Sequence, residues 1–361
     1  MSISNRIEAL RQVLQQEELG AMLVSSDENR RYMSGFTGSA GYLLVSQSDA
    51  VLATDFRYVE QAEGQAPEFR IEQITGGGWL PGLAKEVGAG RIGFESEDVT
   101  VARHVAMEKS ISESDVVGEI SLVETTDLLE RMRGTKDQGE IELLTRAIKI
   151  TDEALDEVEP SVKPGVTEGE IAWELEKAMR ERGAEAMAFD IIVGAGPNGA
   201  LPHHRADSTV IREGDAVVID MGAQYEGYCA DLTRTVLVGE PDETFWKVYN
   251  TVLEAQLAAE EQITAGMTGT EADAIARDLI AEAGYEENFG HSLGHGVGLA
   301  VHEYPVLGTK SEDVLEDGMV FTVEPGIYLS GWGGVRIEDV VVLENGRPRV
   351  VSKARKLTAL G

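Results

Sequence analysis

Cysteine is almost missing from this 361-residue chain: Cys229 stands alone. That excludes an internal disulfide and fits a reducing compartment. Long apolar runs are missing as well. No stretch approaches the roughly 20 apolar residues that a membrane span requires, and residues 1 to 20 hold no apolar signal-type core, so a cytoplasmic protein is the expectation. Positive charge is scarce, with 31 Lys and Arg against 64 Asp and Glu and a formal net charge of −33. Such a surface repels nucleic acid phosphates and anionic lipids alike, and neither is an expected partner. The excess acid can be a solvated surface that aids solubility, or the mark of a saline host. A subset of acids buried together would instead signal cation binding.

At this length two domains are expected. Residues 6–18 place Ile7, Leu10, Val13 and Leu14 at helical spacing, and Gly20 follows. "AMLVSS", the two halves of "GYLLVSQSDAVLATD" around Ser48-Asp49, and "RIGFES" read as strands. Residues 1–130 therefore form one α/β domain and 131–361 a second, with the polar "LERMRGTKDQGE" as linker. A long amphipathic helix follows through Ile141, Leu144, Ala147, Ile148, Thr151 and Leu155, ending at Pro160.

The second domain carries an internal echo. "PGVTEGEIAWELEKAMRERG" and "AGMTGTEADAIARDLIAEAG" align at an offset of 101, each a capping box opening a helix that a glycine stops. "GDAVVIDMG" matches "GMVFTVEPG" at 104, setting Asp220 opposite Glu324. "GYCADLTRTV" matches "GVRIEDVVV" at 107, setting Asp231 opposite Glu338. Three echoes in one order suggest duplicated halves, with chance likeness between two αβ units as the alternative.

Those four acids lie in or at the end of apolar runs that read as buried strands. An unpaired carboxylate there costs several kcal/mol, so each must be protonated, paired or bound to a cation. Arg234 and Arg336 could neutralise two of them in a buried salt-bridge network. Histidine is also rare, and three of the six sit in "GHSLGHGVGLAVHE". His291, His295 and His302 would share a helix face, but Gly290, Gly294, Gly296 and Gly298 are too many for a helix interior. The alternation in "VGLAVHE" favours a strand entered through a glycine-rich turn. HSLGH lacks the second-position Glu of the zincin HExxH helix. One imidazole could bind metal and two could face a substrate. Two Asp, two Glu and one His form an oxygen-rich set that suits manganese, cobalt or zinc. Two such ions about 3.5–4 Å apart can hold a bridging water and lower its pKa toward neutrality, which is hydrolytic chemistry.

The order Asp220, Asp231, His295, Glu324, Glu338 resembles the dinuclear site of the pita-bread metallopeptidases, the Xaa-Pro aminopeptidase and prolidase family. "IDMGAQYEGYCADLTRT", "HSLGHGVGLAVHE", "TVEPGIY" and "GVRIED" carry the likeness. "RYMSGFTGSAGYLLVS" and "TDFRY" are similar to that family's creatinase-type N-terminal domain, so the likeness covers essentially the whole chain. It implies an α+β fold: an N-terminal α/β domain, then two αββ halves around a curved antiparallel sheet. It implies Asp231 and Glu338 as bridging ligands, Asp220 on one metal, and His295 and Glu324 on the other. Glu324 would also take the proton of the attacking water. His203, His291 and His302 would bind the scissile carbonyl and stabilise the tetrahedral intermediate. Two divalent ions are implied, manganese first with cobalt or zinc as alternatives, together with a homodimer and proline-containing peptides as substrates.

Other residues take plainer readings. His204, where a small residue is commoner, reads as a surface or rim histidine, and His104 as surface or packed. Cys229 could share a strand face with Asp231, but a thiol nucleophile would leave four buried acids unexplained. Tyr328 and Arg336 could orient the ligands. Some prolidases resembling this chain carry an arginine shortly after the His-Glu pair. Here "HEYPVLGTK" offers Val306 and then Lys310, which tilts the expectation toward an Xaa-Pro aminopeptidase with Xaa-Pro dipeptidase as the alternative. Methionine aminopeptidase lacks the N-terminal domain, creatinase works without metals, and a non-catalytic binding module would show lost ligands.

Overall fold

Helix starts in this chain are fixed by side-chain caps: Ser2, Ser26, Thr100, Asp137, Thr167, Asp242 and Thr268 each accept a first-turn backbone N–H. The computed structural model describes residues 1–116 and 119–357; Val117, Gly118 and residues 358–361, which fall inside the expected domains, lie outside the described residues. Two compact units divide at Met132/Arg133, within the helix Leu128–Gly134.

The first unit is α/β. Its six-stranded sheet runs, edge to edge, Arg70–Gln73, Ala50–Thr54, Tyr42–Ser46, Ala21–Val24, Arg91–Glu95 and Ser121–Thr125, with parallel and antiparallel neighbours mixed. His104 packs its ring 5.0 Å from Phe94 in this unit.

The polar segment expected as a linker is instead mostly helical. Leu128–Gly134 and the start of Gln138–Val158 occupy it, and Leu129, Arg133, Lys136 and Glu140 are buried. The physical reason is pairing. Arg133 binds the Glu303 carboxylate, Lys136 Nζ lies 2.8 Å from the same group, and Glu140 closes a capping box with Asp137. Charge in this stretch is buried with its partners rather than solvated.

In the second unit the echo is structural. Thr167 with Glu170 and Thr268 with Glu271 both form capping boxes, opening the helices Glu168–Glu181 and Gly269–Glu282. Gly165 and Gly266 precede them at φ +94° and +92°, and Gly183 and Gly284 follow at +102° and +85°. Each left-handed position is one that a side chain would strain. Thr167 bridges Val210, and Thr268 bridges Val314. The strands repeat too: Ala216–Met221 pairs antiparallel with Leu232–Leu237, as Val320–Val323 does with Asp339–Glu344. Each half has its own core, one built on Leu175, Val193, Val217 and Ile219, the other on Phe245, Val252, Phe321 and Val341. Among the described residues these strands form four antiparallel sheets, with three, three, five and two members.

Because both capping boxes are complete, Thr167→Ala and Thr268→Ala should each destabilise the chain by about 1 kcal/mol. For a unit of this size that is a fall of about 2–4 °C in Tm, measurable by calorimetry; an unchanged Tm for both would deny the caps their role.

Candidate active site

Glycines bring the site together. A Cβ on Gly222 would lie 2.0 Å from Ala230 O, so only glycine lets the turn after Asp220 close against the segment that carries Asp231. Asp220 is in the strand Ala216–Met221 and registers with Thr233, two residues past Asp231. In the second half, Val323 registers with Asp339, which places Glu324 and Glu338 beyond the ends of neighbouring strands. The amide of Glu338 donates to Thr233 O at 3.1 Å and joins the halves.

The expected strand over "VGLAVHE" is not formed. His295 lies in the short strand Gly294–Gly296, whose register shifts after it, and residues 297–302 are irregular before the strand Glu303–Leu307. Close approach explains why. A Cβ on Gly294 would meet Thr322 O at 2.0 Å, and one on Gly296 would meet Tyr304 O at 2.1 Å. The glycines press this segment onto backbone, and His295 is held where the four acids converge.

A cavity of about 720 Å³ is lined by His203, Asp220, Asp231, His291, His295, His302, Glu324 and Glu338, with Tyr328 and Arg336. Single ligand atoms of Asp231, His295 and Glu338 all lie within 4.8 Å of one another. His295 Nε2 is 3.1 Å from Glu324 Oε1 and 3.6 Å from Asp231 Oδ2. Its Nδ1 is 3.1 Å from Gly296 O, a contact that turns Nε2 toward the carboxylates.

Burial, then the charge of neighbouring acids, pushes the Asp231 and Glu338 carboxyls well above the usual carboxylate range. Burial also raises Asp220, against the pull of Arg336. Glu324 differs: burial raises it, but the hydrogen bond and charge of His295, with His291 and Arg336, hold it at about 2. His291 and His302 are both shifted down by burial, His302 further by His295 and His203, so each is neutral at pH 7. His295 is shifted up against its burial by Glu324.

Neighbouring groups fix these side chains. Arg336 donates to Asp220 Oδ2 at 2.7 Å, Tyr328 OH at 2.8 Å and Thr233 Oγ1 at 3.0 Å. Tyr328 OH is 2.9 Å from His291 Nε2, and His291 Nδ1 is 2.8 Å from Ser292 O, so both nitrogens of that ring are engaged. Among the described residues no hydrogen bond engages the rings of His203 and His302. Arg234 does not neutralise any of the four acids. It lies 2.6 Å from Asp339 Oδ1 and donates to the carbonyls of Thr233, Glu338 and Ala354. His204 is not a free rim residue either, since its Nε2 is 2.7 Å from buried Glu168. Cys229 is buried and absent from the cavity lining.

Two threonines escaped the sequence reading. Thr233 Oγ1 donates to Glu338 Oε2 at 2.7 Å, and Thr322 Oγ1 donates to Glu324 Oε1 at 2.9 Å. Each lies two residues from an acid of the site, Thr233 from Asp231 and Thr322 from Glu324.

Asp220 Oδ1 and Glu338 Oε1 are buried without a hydrogen-bond partner. Four converging carboxylates, two orphaned oxygens and an imidazole aimed among them fit divalent cations, which would replace both the missing partners and the missing charge.

With this geometry in place, likeness to known proteins is informative. Residues 142–345 match the metallopeptidase family M24, and residues 6–134 the creatinase/prolidase N-terminal domain. A Bacillus subtilis protein, "Uncharacterized peptidase YqhT", is 43% identical over 98% of this chain and 100% of its own length. The structure of an Xaa-Pro dipeptidase from Bacillus anthracis superposes with a TM-score of 0.95 at 44% identity, over 99% of each chain. An X-Pro aminopeptidase from Thermotoga maritima gives 0.88 at 39%, over 97% of this chain and 98% of that one. The chain belongs to metallopeptidase family M24, an enzyme family that works with divalent metal ions.

Asp231 and Glu338 hold protons in the metal-free protein at pH values where ordinary carboxyls have lost them, so a cation must displace those protons. Affinity for manganese should therefore go on rising with pH above the range where ordinary carboxyls have ionised, with net proton release on binding. Calorimetry in buffers of different ionisation enthalpy reads this directly, and pH-independent binding without proton release would contradict the site.

Proposed function

We propose that this chain hydrolyses the peptide bond between an N-terminal residue and proline, with two divalent ions held by Asp220, Asp231, His295, Glu324 and Glu338. The observation that carries the proposal is the convergence on His295 of two buried carboxylates, Asp231 and Glu338, and two half-buried ones, Asp220 and Glu324, with Asp220 Oδ1 and Glu338 Oε1 left without partners. Asp231 and Glu338, whose carboxyls burial pushes well above the usual carboxylate range, would gain most from the neighbouring positive charge of the ions. Asp220, His295 and Glu324 would complete the set that holds the ions. When bound, the ions supply Lewis acidity and an activated water, and manganese is the first choice, with cobalt and zinc also suited to this ligand set.

The protein's own groups do the rest. Glu324 is ionised at neutral pH and so can receive the water's proton. His203 and His302, on the cavity wall with no hydrogen bond to their ring nitrogens, meet the carbonyl oxygen as its charge grows; the His302 ring packs edge-on against His295 at 4.3 Å. His291 works through Tyr328, whose hydroxyl links it to Arg336 and so to Asp220.

A dipeptide is the favoured substrate, because the Bacillus anthracis relative is described as an Xaa-Pro dipeptidase and shares the fold across the whole chain. Arg205, exposed on the wall of the same cavity, is a cation within the site for a free carboxylate. The second reading, an aminopeptidase acting on longer peptides, rests on Val306 standing where some prolidases carry arginine and on the Thermotoga maritima relative.

Chelated enzyme resupplied with manganese should cleave Gly-Pro. Cleavage of Gly-Pro-Leu with Gly-Pro untouched would decide for the aminopeptidase, and silence on both with manganese, cobalt and zinc would end the proposal. Asp231→Ala should lose bound metal and turnover together. His302→Ala should keep its metal and lose about 10²-fold in kcat, the usual cost of one donor to a developing oxyanion; metal loss in that variant would make His302 a ligand instead.

A further inference from the structure

Beside His203 stands a second histidine that the reaction does not use. His204 Nε2 lies 2.7 Å from Glu168 Oε2, with the two side chains 11% and 0% exposed. Glu168 opens the helix Glu168–Glu181, and its carboxylate gathers several segments. Oε1 accepts the Ala195 amide at 2.8 Å and Asn198 Nδ2 at 2.9 Å, while Oε2 takes His204 and, at 3.5 Å, the Asp207 amide. One buried anion thus ties the end of the strand Ile192–Ala195, the turn Gly196–Ala200 and two points of the segment 201–207.

The segment has other ties as well: the Gly169 amide donates to Asp207 O at 2.8 Å, Ala206 packs on the core of the first half, and Arg205 lies 3.7 Å from Asp190 Oδ2. It contains no helix or strand, and Leu201, His203, Arg205 and Asp207 are all exposed. Yet it supplies His203 and Arg205 to the cavity wall. The other half has a comparable tie. Buried Asp273, on the helix Gly269–Glu282, accepts the Leu293 amide at 2.9 Å and pairs with Arg277, which donates to the carbonyls of Phe289 and His291. In each half a buried acid on the second helix fastens a segment that reaches the cavity.

Glu168, His204 and Asp207 also have ligand atoms within 4.8 Å of one another, as a metal site would. Here, however, both Glu168 oxygens already accept hydrogen bonds, and Asp207 Oδ1 accepts the Thr209 amide at 2.7 Å. A cation would have to break those bonds.

We propose that the Glu168–His204 pair is a positioning device that holds the segment 201–207 so that His203 and Arg205 face the substrate, and that it sets substrate affinity more than the chemical step. This rests on the peptidase reading above. His204 also lines the cavity, but its Nε2 is turned to Glu168 and makes no hydrogen bond to the site's acids or to His295. Its loss frees the loop at one point and leaves the two Oε1 bonds of Glu168 in place.

The test compares the full chain, loaded with manganese, as wild type, His204→Ala and His204→Gln. Glutamine keeps an N–H donor at the reach of Nε2. With Gly-Pro as substrate, His204→Ala should raise KM about tenfold, the weight of one hydrogen bond to a buried charge. Its kcat and manganese per chain should change less than about twofold, and His204→Gln should restore most of the affinity. Independently of substrate, amide hydrogen exchange across residues 201–207 should quicken about tenfold in His204→Ala and much less in His204→Gln. An unchanged KM with unchanged exchange would overturn the proposal. Parallel loss of kcat, metal and KM would overturn it in favour of general structural support, and loss of one metal equivalent in favour of a third metal site. A wild-type chain inactive on both peptides, with exchange still faster only in His204→Ala, would remove the peptidase reading and leave the tether standing.

Discussion

Four carboxylates facing one another across one cavity is the constraint on which the second unit turns. Two charges about 5 Å apart in a medium of effective dielectric about 20 repel by about 3 kcal/mol, and burial adds the cost of lost hydration. The fold meets this with few means. Arg336 neutralises Asp220, Thr233 and Thr322 give a hydroxyl each to Glu338 and Glu324, and His295 sits between Glu324 and Asp231. What remains is the pair of orphaned oxygens and the strong upward shifts of Asp231 and Glu338. Tolerating that residue of unmet charge makes sense only where binding a cation removes it, so the energetic defect and the function are the same feature.

The duplicated architecture explains how so few residues build the site. Phe321, three before Glu324, registers with Gly296; Val217, three before Asp220, registers with Ala195. By that correspondence His295 occupies the place that Gly194 holds in the first half. One half therefore brings two aspartates and no imidazole, and the other two glutamates and one. Beyond these paired strands each half sends out an irregular segment, and the two segments carry His203 and His302. A symmetric scaffold with one asymmetric substitution thus sets four acids and a single added imidazole between the segments that carry His203 and His302.

The convergence of the four acids was legible because each lies at the end of an apolar run, where it has no cheap reason to be, and because the echo placed Asp220 against Glu324 and Asp231 against Glu338. Helix starts were legible for the same local reason, since a capping threonine and its partner glutamate are three residues apart. What failed depended on distant partners. The segment around Arg133 and Lys136 looked like a solvated linker because Glu303, which buries it, lies about 170 residues on. "VGLAVHE" alternated like a strand, but Gly294 and Gly296 press against the backbones of Thr322 and Tyr304, and the chain beyond cannot continue flat. Arg234 looked like a partner for a ligand and serves Asp339 and three carbonyls instead.

His204 shows the same limit from the other side. Its polarity and its place beside His203 suggested solvent, because nothing near it in sequence could bury an imidazole. The partner is a glutamate at a helix start 36 residues earlier, kept from water by the amides it accepts. An acid at that position could have remained at the surface and still favoured the helix N-terminus. Its complete burial is intelligible only if it gathers donors from elsewhere, and the donors it gathers all belong to the segment leading to the cavity wall. The asymmetry between the two units of charge is then informative: the site's carboxylates are buried with too few partners and call for cations, whereas Glu168 is buried with enough and shapes the loop that meets the substrate.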